Sequence, residues 1–297
     1  MSQQQGGKWR SFLAAFFLTM AVLSIVMVVT VLAVQPAMPK NASRQPSEPE
    51  YVYRPQQEDS LTLLAIQTSP SEPSANFLLL RFNPQYGQIP LSLLPPETLV
   101  PFNQEQRSLQ SVYEQKGAAA AKEALAERLG IVIDRYAKLD SDAFLRIAQK
   151  TGTVVYTLPY DIAYTRDGFD IHLSAGERRL DAKDLLDLFA YPPFQRNTLE
   201  KSELMGEVLA ALINQNLDIA AERNSSGWFL LAINLVDTDI TYADYELRRQ
   251  AADFLSGIDA QVAASFTAQG EFVEDGTGFA LSDSFCELLR RYFQQAV

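Results

Sequence analysis

The chain has one cysteine and one histidine in 297 residues, and that scarcity removes several chemistries at once. A lone Cys286 forbids an intrachain disulfide and any thiolate metal cluster. A lone His172 forbids a multi-histidine metal site, and a Ser-His-Asp triad would have to be built around that one ring. Glycine-rich phosphate loops, the HExxH helix, the GxSxG elbow and the EF-hand loop are all absent. Base is scarce as well. Lys and Arg number 25 against 36 Asp and Glu, a net charge of -11, and because residues 1–34 hold Lys8 and Arg10 but no acid, the remainder stands at -13. Nucleic-acid binding needs clustered Lys and Arg against phosphate, so a nucleic-acid partner is excluded.

What is present is apolar: 47% hydrophobic and 21% charged residues, enough for a sizeable core. The clearest segment is SFLAAFFLTMAVLSIVMVVTVLAV, residues 11–34, with no charge anywhere. As a helix it would span about 36 Å at ~1.5 Å per residue, against a bilayer core of ~30 Å. It is longer than a signal-peptide core of roughly 7 to 15 residues, and LAVQPA is a poor cleavage site. The expectation is an uncleaved single-pass anchor. Lys8 and Arg10 hold residues 1–10 in the cytoplasm and leave the rest outside.

Residues 35–60 are proline-rich and polar, and read as an extended extracytoplasmic stalk. From Leu61 the pattern changes, and with no later composition break residues 61–297 read as one domain. LTLLAIQ, NFLLLRFNP and GQIPLSLL read as three strands, the last two joined by a turn over residues 83–87. Residues 108–130 read as two helices parted at Gly117 and stopped at Gly130, residues 132–139 as a strand, and residues 140–152 as a helix capped by Asp140 or Ser141 and stopped by Gly152. TVVYTLP is a further strand, DITYADYELRRQAADFLSGI a helix, VAASFTAQGEF strand-like, and SDSFCELLRRYFQQA a capped terminal helix. The alternation predicts an α/β fold, an α/β/α sandwich around a central mixed sheet.

Single residues first read as structure. Phe285, Leu288, Leu289, Tyr292 and Phe293 recur at helical spacing around Cys286, which predicts a buried, inert thiol. In DGFDIHLSAGE, alternation sets His172 opposite Ile171 and Leu173, as a partly exposed strand residue. The acid pairs Asp140/Asp142, Asp181/Asp184 and Asp237/Asp239 read as helix caps, and Arg248, Arg249, Arg290 and Arg291 as solvated faces. The helices AAAAKEALAERL and DAFLRIAQ each have an apolar face that suits either an ordinary core or the border of an apolar groove.

The order of the pieces resembles one family. A strand, a turn-rich loop, a strand ending in Asn-Pro, a strand ending in Pro-x-acid-Thr, and the later DGFDIHLSAGERRLDAKDLLDL block together resemble the LytR-CpsA-Psr (LCP) proteins, from about Leu61 to Phe293. The resemblance implies a short cytoplasmic tail, one membrane helix and an extracytoplasmic α/β domain. It further implies an enzyme of bacterial cell-wall biogenesis that moves glycopolymers from a polyprenyl-pyrophosphate carrier to peptidoglycan. Such chemistry relies on Mg²⁺ held by carboxylates and on arginines gripping phosphate oxygens.

The residues that the resemblance points to are the wrong kind for that chemistry. Gln67 stands where active members carry an aspartate, and Pro73 and Ala75 where they carry an arginine and an aspartate. Pro96 replaces an arginine ahead of the retained acid Glu97, Ala190 and Pro192 fall on an arginine pair, and Lys201 and Leu204 on another, with only Lys201 keeping charge. Arg178, Arg179 and Arg196 could substitute only if turned inward. The expectation is a catalytically degenerate member, a pseudoenzyme, with no cofactor. It would bind polyprenyl-phosphate-linked glycopolymer, peptidoglycan or other envelope proteins at the membrane, and Glu97, Arg196 and Lys201 are the candidate ligand contacts. Two alternatives stay open: an Mg²⁺-dependent phosphotransferase that uses Glu97 with Asp161, Asp167 or Lys201, and an interaction domain with no ligand groove.

The anchor expectation is checked with a periplasm-active alkaline phosphatase fused after Val297. The fusion should be active, and two lysines placed within residues 20–25 should abolish that activity; a fusion active only as a cytoplasmic reporter would reverse the orientation.

Overall fold

The computed structural model describes residues 53–69, 74–166, 168–273 and 276–294. Residues 1–52, with the expected tail, anchor and most of the stalk, lie outside them, as do Pro73 and Asp167. Among the described residues no helix is long and apolar enough to cross a membrane.

The three expected strands form β1 (Leu61–Gln67), β2 (Asn76–Phe82) and β3 (Ile89–Leu94). They pair antiparallel in chain order, Leu61 opposite Phe82 and Gln67 opposite Asn76 in the first hairpin. Gly87 turns the second hairpin at a φ of 64°, a left-handed angle that glycine takes without steric cost. Pro95-Pro96-Glu97-Thr98 then closes a tight turn, with the Thr98 amide and hydroxyl both donating to the Pro95 carbonyl, at 3.0 and 2.7 Å. A short hairpin follows, β4 (Leu99–Phe102) and β5 (Glu105–Ser108), whose corner residues Asn103 and Gln104 both have positive φ.

Helix α1 (Leu109–Leu129) starts on the Ser108 hydroxyl, breaks at Gly117 (φ 81°, ψ −175°) and ends on left-handed Gly130, as the spacing predicts. Next come β6 (Arg135–Leu139), α2 (Ser141–Thr151) capped by Asp140, β7 (Val154–Leu158), β8 (Ile162–Arg166), β9 (Phe169–Leu173) and β10 (Gly176–Leu180). Helices α3 (Ala182–Ala190), α4 (Thr198–Gln215) and α5 (Glu222–Ile233) lead to β11 (Asp237–Thr238) and α6 (Tyr242–Ser256). The chain closes through β12 (Ala263–Ser265), β13 (Gly270–Phe272), β14 (Phe279–Leu281) and α7 (Asp283–Phe293), which is capped by Ser282.

The central sheet is mixed, in the order β11-β6-β1-β2-β3-β12, with β1–β6 and β3–β12 parallel. Strand alternation sends Leu64, Ile66, Phe77 and Leu79 to one face, where α1 and α7 cover them with Leu109, Leu125, Phe285, Leu289 and Phe293. Each such fully buried side chain is worth about 1.5–3 kcal/mol. The opposite face, with Leu78, Leu80, Phe82, Leu91 and Leu93, looks toward α2, α3, α4 and α6. The expected layering of helices on both faces of a mixed sheet is therefore present.

Several local expectations are corrected. The strand expected from residue 132 begins only at Arg135, because Ile131 and Ile133 are buried in the core and the Asp134 carboxylate accepts the Thr62 amide at 2.7 Å. VAASFTAQGEF is not one strand but β12 and β13 in different sheets, whereas TVVYTLP does form the expected strand, β7, paired with β10. The helix expected from residue 239 starts at Tyr242, behind a reciprocal Thr241–Asp244 capping box. Asp237 and Asp239 cap nothing: Asp237 lies in β11, while Asp239 bonds the Tyr136 amide and pairs with Lys122 at 2.8 Å.

Nor are all four arginines solvated. Arg290 donates to the Leu129 carbonyl at the end of α1, and Arg248 donates to the Ser60 and Glu58 carbonyls. That clamp, with Tyr53 edge-on to Phe254 and donating to a buried Asp59, packs Tyr53–Ser60 onto α6, so the end of the expected stalk belongs to the folded body. Cys286 is buried, as expected, and burial pushes its thiol pKa up.

Asp244 anchors this corner. Arg135 grips it through two 3.0 Å bonds, and Thr241 donates to it from both amide and hydroxyl. Burial alone would raise its pKa, but the Arg135 and Thr241 bonds outweigh that and hold it at about 2. A carboxylate depressed from its unfolded value near 4 contributes stability above that value and loses it as pH falls toward 2. Asp244→Asn should therefore cost about 2 kcal/mol in urea unfolding at pH 7. The two proteins should converge near pH 2, whereas an undiminished gap there would remove the ionic contribution.

Candidate functional site

The two faces of the central sheet are filled differently. Under α1 and α7 the packing is dense, but under α2, α4 and α5 an apolar cavity of about 510 Å³ remains. Its floor is Ala65, Leu78, Leu80 and Phe82 from the sheet, its walls include Phe144, Ile147, Leu209 and Ile213, and its far end carries Trp228, Phe229 and Tyr245. The two apolar-faced helices thus divide between their two possible roles. DAFLRIAQ, on α2, borders the cavity; AAAAKEALAERL, on α1, makes ordinary core. Water in so apolar a space finds few partners, so the space favours an apolar occupant.

A smaller polar pocket of about 70 Å³ adjoins it, and Asn76 and Leu93 line both. Here the fold gathers several of the positions that the sequence singled out: Ala75, Pro96, Glu97 and Lys201. Gln67 joins through its amide, which accepts from the Asn76 side chain and donates to the Thr68 carbonyl. The Ala75 amide is held by Gln110 Oε1 at 2.9 Å.

The turn that carries Pro96 and Glu97 is fixed by its backbone. Gln110 N donates to the Pro96 carbonyl at 2.9 Å and Phe279 N to the Glu97 carbonyl at 2.8 Å. Within the carboxylate, Oε2 is buried and accepts no hydrogen bond. Lys201 reaches the pocket from the first turn of α4 and is 8% exposed, its ammonium 5.8 Å from the Phe189 ring centre, a cation–π distance.

Other candidate positions lie apart from this pocket. Leu204 is buried one turn beyond Lys201 in the core under α4. Ala190 ends α3 and Pro192 begins the following 3-10 turn, and neither lines the pocket, although Phe194 from that turn does. Arg196 is exposed, as are Arg178 and Arg179 on β10, where Arg179 bonds Thr153, so none of the three is turned into the pocket. Asp161 accepts the Ala175 amide in an outlying hairpin. His172 is exposed on β9, as alternation predicts, and its Nε2 lies 3.0 Å from both Asp170 Oδ1 and Thr165 Oγ1. Both neighbours compete for one nitrogen, so no Asp-His-Thr relay forms.

Sequence reasoning missed Asn76, Thr198 and Ser202 as pocket residues, and offered the cavity only as one of two readings of the apolar face of DAFLRIAQ. The available signals were faint: a polar residue opening an apolar strand, and Thr198, Lys201 and Ser202 sharing one helix face at i, i+3 and i+4. The pocket lining is poor in the anionic oxygens that Mg²⁺ takes. The polar pocket supplies one carboxylate, Glu97, beside a buried ammonium, while the remaining polar groups are neutral amides and hydroxyls. Mg²⁺ is usually held by one or two carboxylates together with substrate phosphates and waters, so this lining offers it one protein carboxylate, set beside an ammonium.

Among curated proteins, none matches the chain. Solved structures match its fold. A protein from Eubacterium siraeum described as a transcription regulator is 16% identical, covers 85% of this chain and 98% of its own, and superposes with a TM-score of 0.74. Bacillus subtilis TagV is 17% identical, covers 79% and 95%, and has a TM-score of 0.62. TagT, solved bound to LI-WTA, is 14% identical, covers 82% and 93%, and has a TM-score of 0.58. The model of the LytR_cpsA_psr family matches residues 66–278, well over half of the chain, and the chain belongs to the LytR-CpsA-Psr family.

Proposed function

We propose that this chain is a membrane-anchored, extracytoplasmic protein of the bacterial cell envelope that holds the apolar chain of a polyprenyl-type lipid and transfers no glycopolymer. The carrying observation is the juxtaposition of an apolar cavity of about 510 Å³ with a polar pocket that holds one cation, Lys201, and no arginine among the residues lining it. The cavity supports lipid binding because about 25 cal/mol is gained for each Å² of apolar surface withdrawn from water. That TagT holds LI-WTA in the same fold supports an envelope ligand of this kind.

The pocket argues against transfer. Displacement at a pyrophosphate builds charge on equatorial and leaving oxygens, and catalysis is mostly the clamping of that charge by arginine and metal. A Pro96 ring presents no donor where a guanidinium would present five. The Gln67 and Asn76 side chains bond each other. Glu97 places negative charge where a phosphate would need positive. In this reading the protein holds a polyprenyl-type lipid of the envelope beside active partners, with peptidoglycan and other envelope proteins as its neighbours.

Two measurements test the reading. Filling the cavity with Ala148→Phe, at a buried residue of its α2 wall, should lower binding of a polyprenyl phosphate by about tenfold or more; equal binding would remove the cavity as its seat. With polyprenyl-pyrophosphate-linked saccharide, peptidoglycan and Mg²⁺, the protein should release no product above background. Turnover that Glu97→Gln abolishes would establish the phosphotransferase instead.

A further inference from the structure

The polar pocket describes the head group that this lipid must carry. It rests on the lipid-chain reading above and adds what sits at the chain's end. Two ionisable side chains line it, Glu97 and Lys201, of opposite sign. Glu97 Oε2 is buried with no donor. At the helix end beside it Asn197 accepts the Glu200 amide at 3.1 Å and donates to the Glu200 carboxylate at 3.0 Å, and that carboxylate offsets part of the positive end of α4. At about 70 Å³ the pocket has room for roughly two or three water-sized groups.

We infer that the site takes a lipid with an uncharged, hydroxyl-bearing head, such as a free prenyl alcohol, in preference to a prenyl diphosphate. A hydroxyl has one hydrogen to donate to Glu97 and lone pairs to accept from Lys201, so it serves both groups at once. A diphosphate brings several negative charges beside Glu97, against one cation, and has no proton to offer at neutral pH. Its extra charge finds no second cation among the residues lining the pocket. The hydroxyl head sits at Asn76, where pocket and cavity meet, and the chain runs toward Trp228.

Trp228 supplies the readout, since the chain has two tryptophans and the other is Trp9. In a Trp9→Phe background the full chain, reconstituted in nanodiscs, is titrated with geranylgeraniol, geranylgeranyl monophosphate and geranylgeranyl diphosphate at matched mole fractions. The alcohol should perturb Trp228 emission with an affinity about tenfold above the diphosphate, the monophosphate falling between. Glu97→Gln should narrow that gap by raising diphosphate affinity. Diphosphate binding as tightly as alcohol in the unsubstituted protein overturns the head-group inference while leaving the cavity reading intact. No response to any of the three overturns both.

Discussion

Strand β2 is packed hard on one face and loosely on the other, and the functional part of the molecule depends on that asymmetry. Phe77 and Leu79 are fully buried beneath α1 and α7. That burial fixes the strand's register, since a one-residue slip would exchange its two faces. With the register fixed, Leu78, Leu80 and Phe82 must point the other way, where α2, α4 and α5 stand off far enough to leave the cavity. The same register places Asn76 at the strand's start opposite Gln67, at the junction of cavity and polar pocket.

The polar pocket brings together one acid and one ammonium from elements far apart in the chain. The Pro95–Thr98 turn still projects an acid, and α4 still delivers a cation from its first turn. The Gln67 amide, a proline ring and an alanine occupy positions that the family resemblance assigns to charged groups. Holding a pyrophosphate requires a surplus of positive charge, and a pocket whose two ionisable groups cancel has none.

Much of the fold was legible because local signals and tertiary structure agreed. β1 occupies the expected residues 61–67, Gly117 and Gly130 break and end α1 where their backbone freedom suggests, and Asp140 and Ser282 cap their helices. Legibility failed where a side chain's partner is distant in sequence. Asp239 reads as a cap but bonds Tyr136 and Lys122, both more than 100 residues away, and Arg248 reads as solvated but clamps backbone near residue 60. Residue type and spacing carry no trace of such partners.

The amino-acid sequence by itself determined the alternation of strands and helices, the acidic balance and the uncharged run at residues 11–34. These are properties of composition and period, readable one segment at a time. Only the tertiary structure decided that the apolar face of α2 borders a cavity while that of α1 fills a core, and that Glu97 and Lys201 share one pocket. A void and a charge balance are sums over elements far apart in the chain. They exist only once those elements are packed against each other.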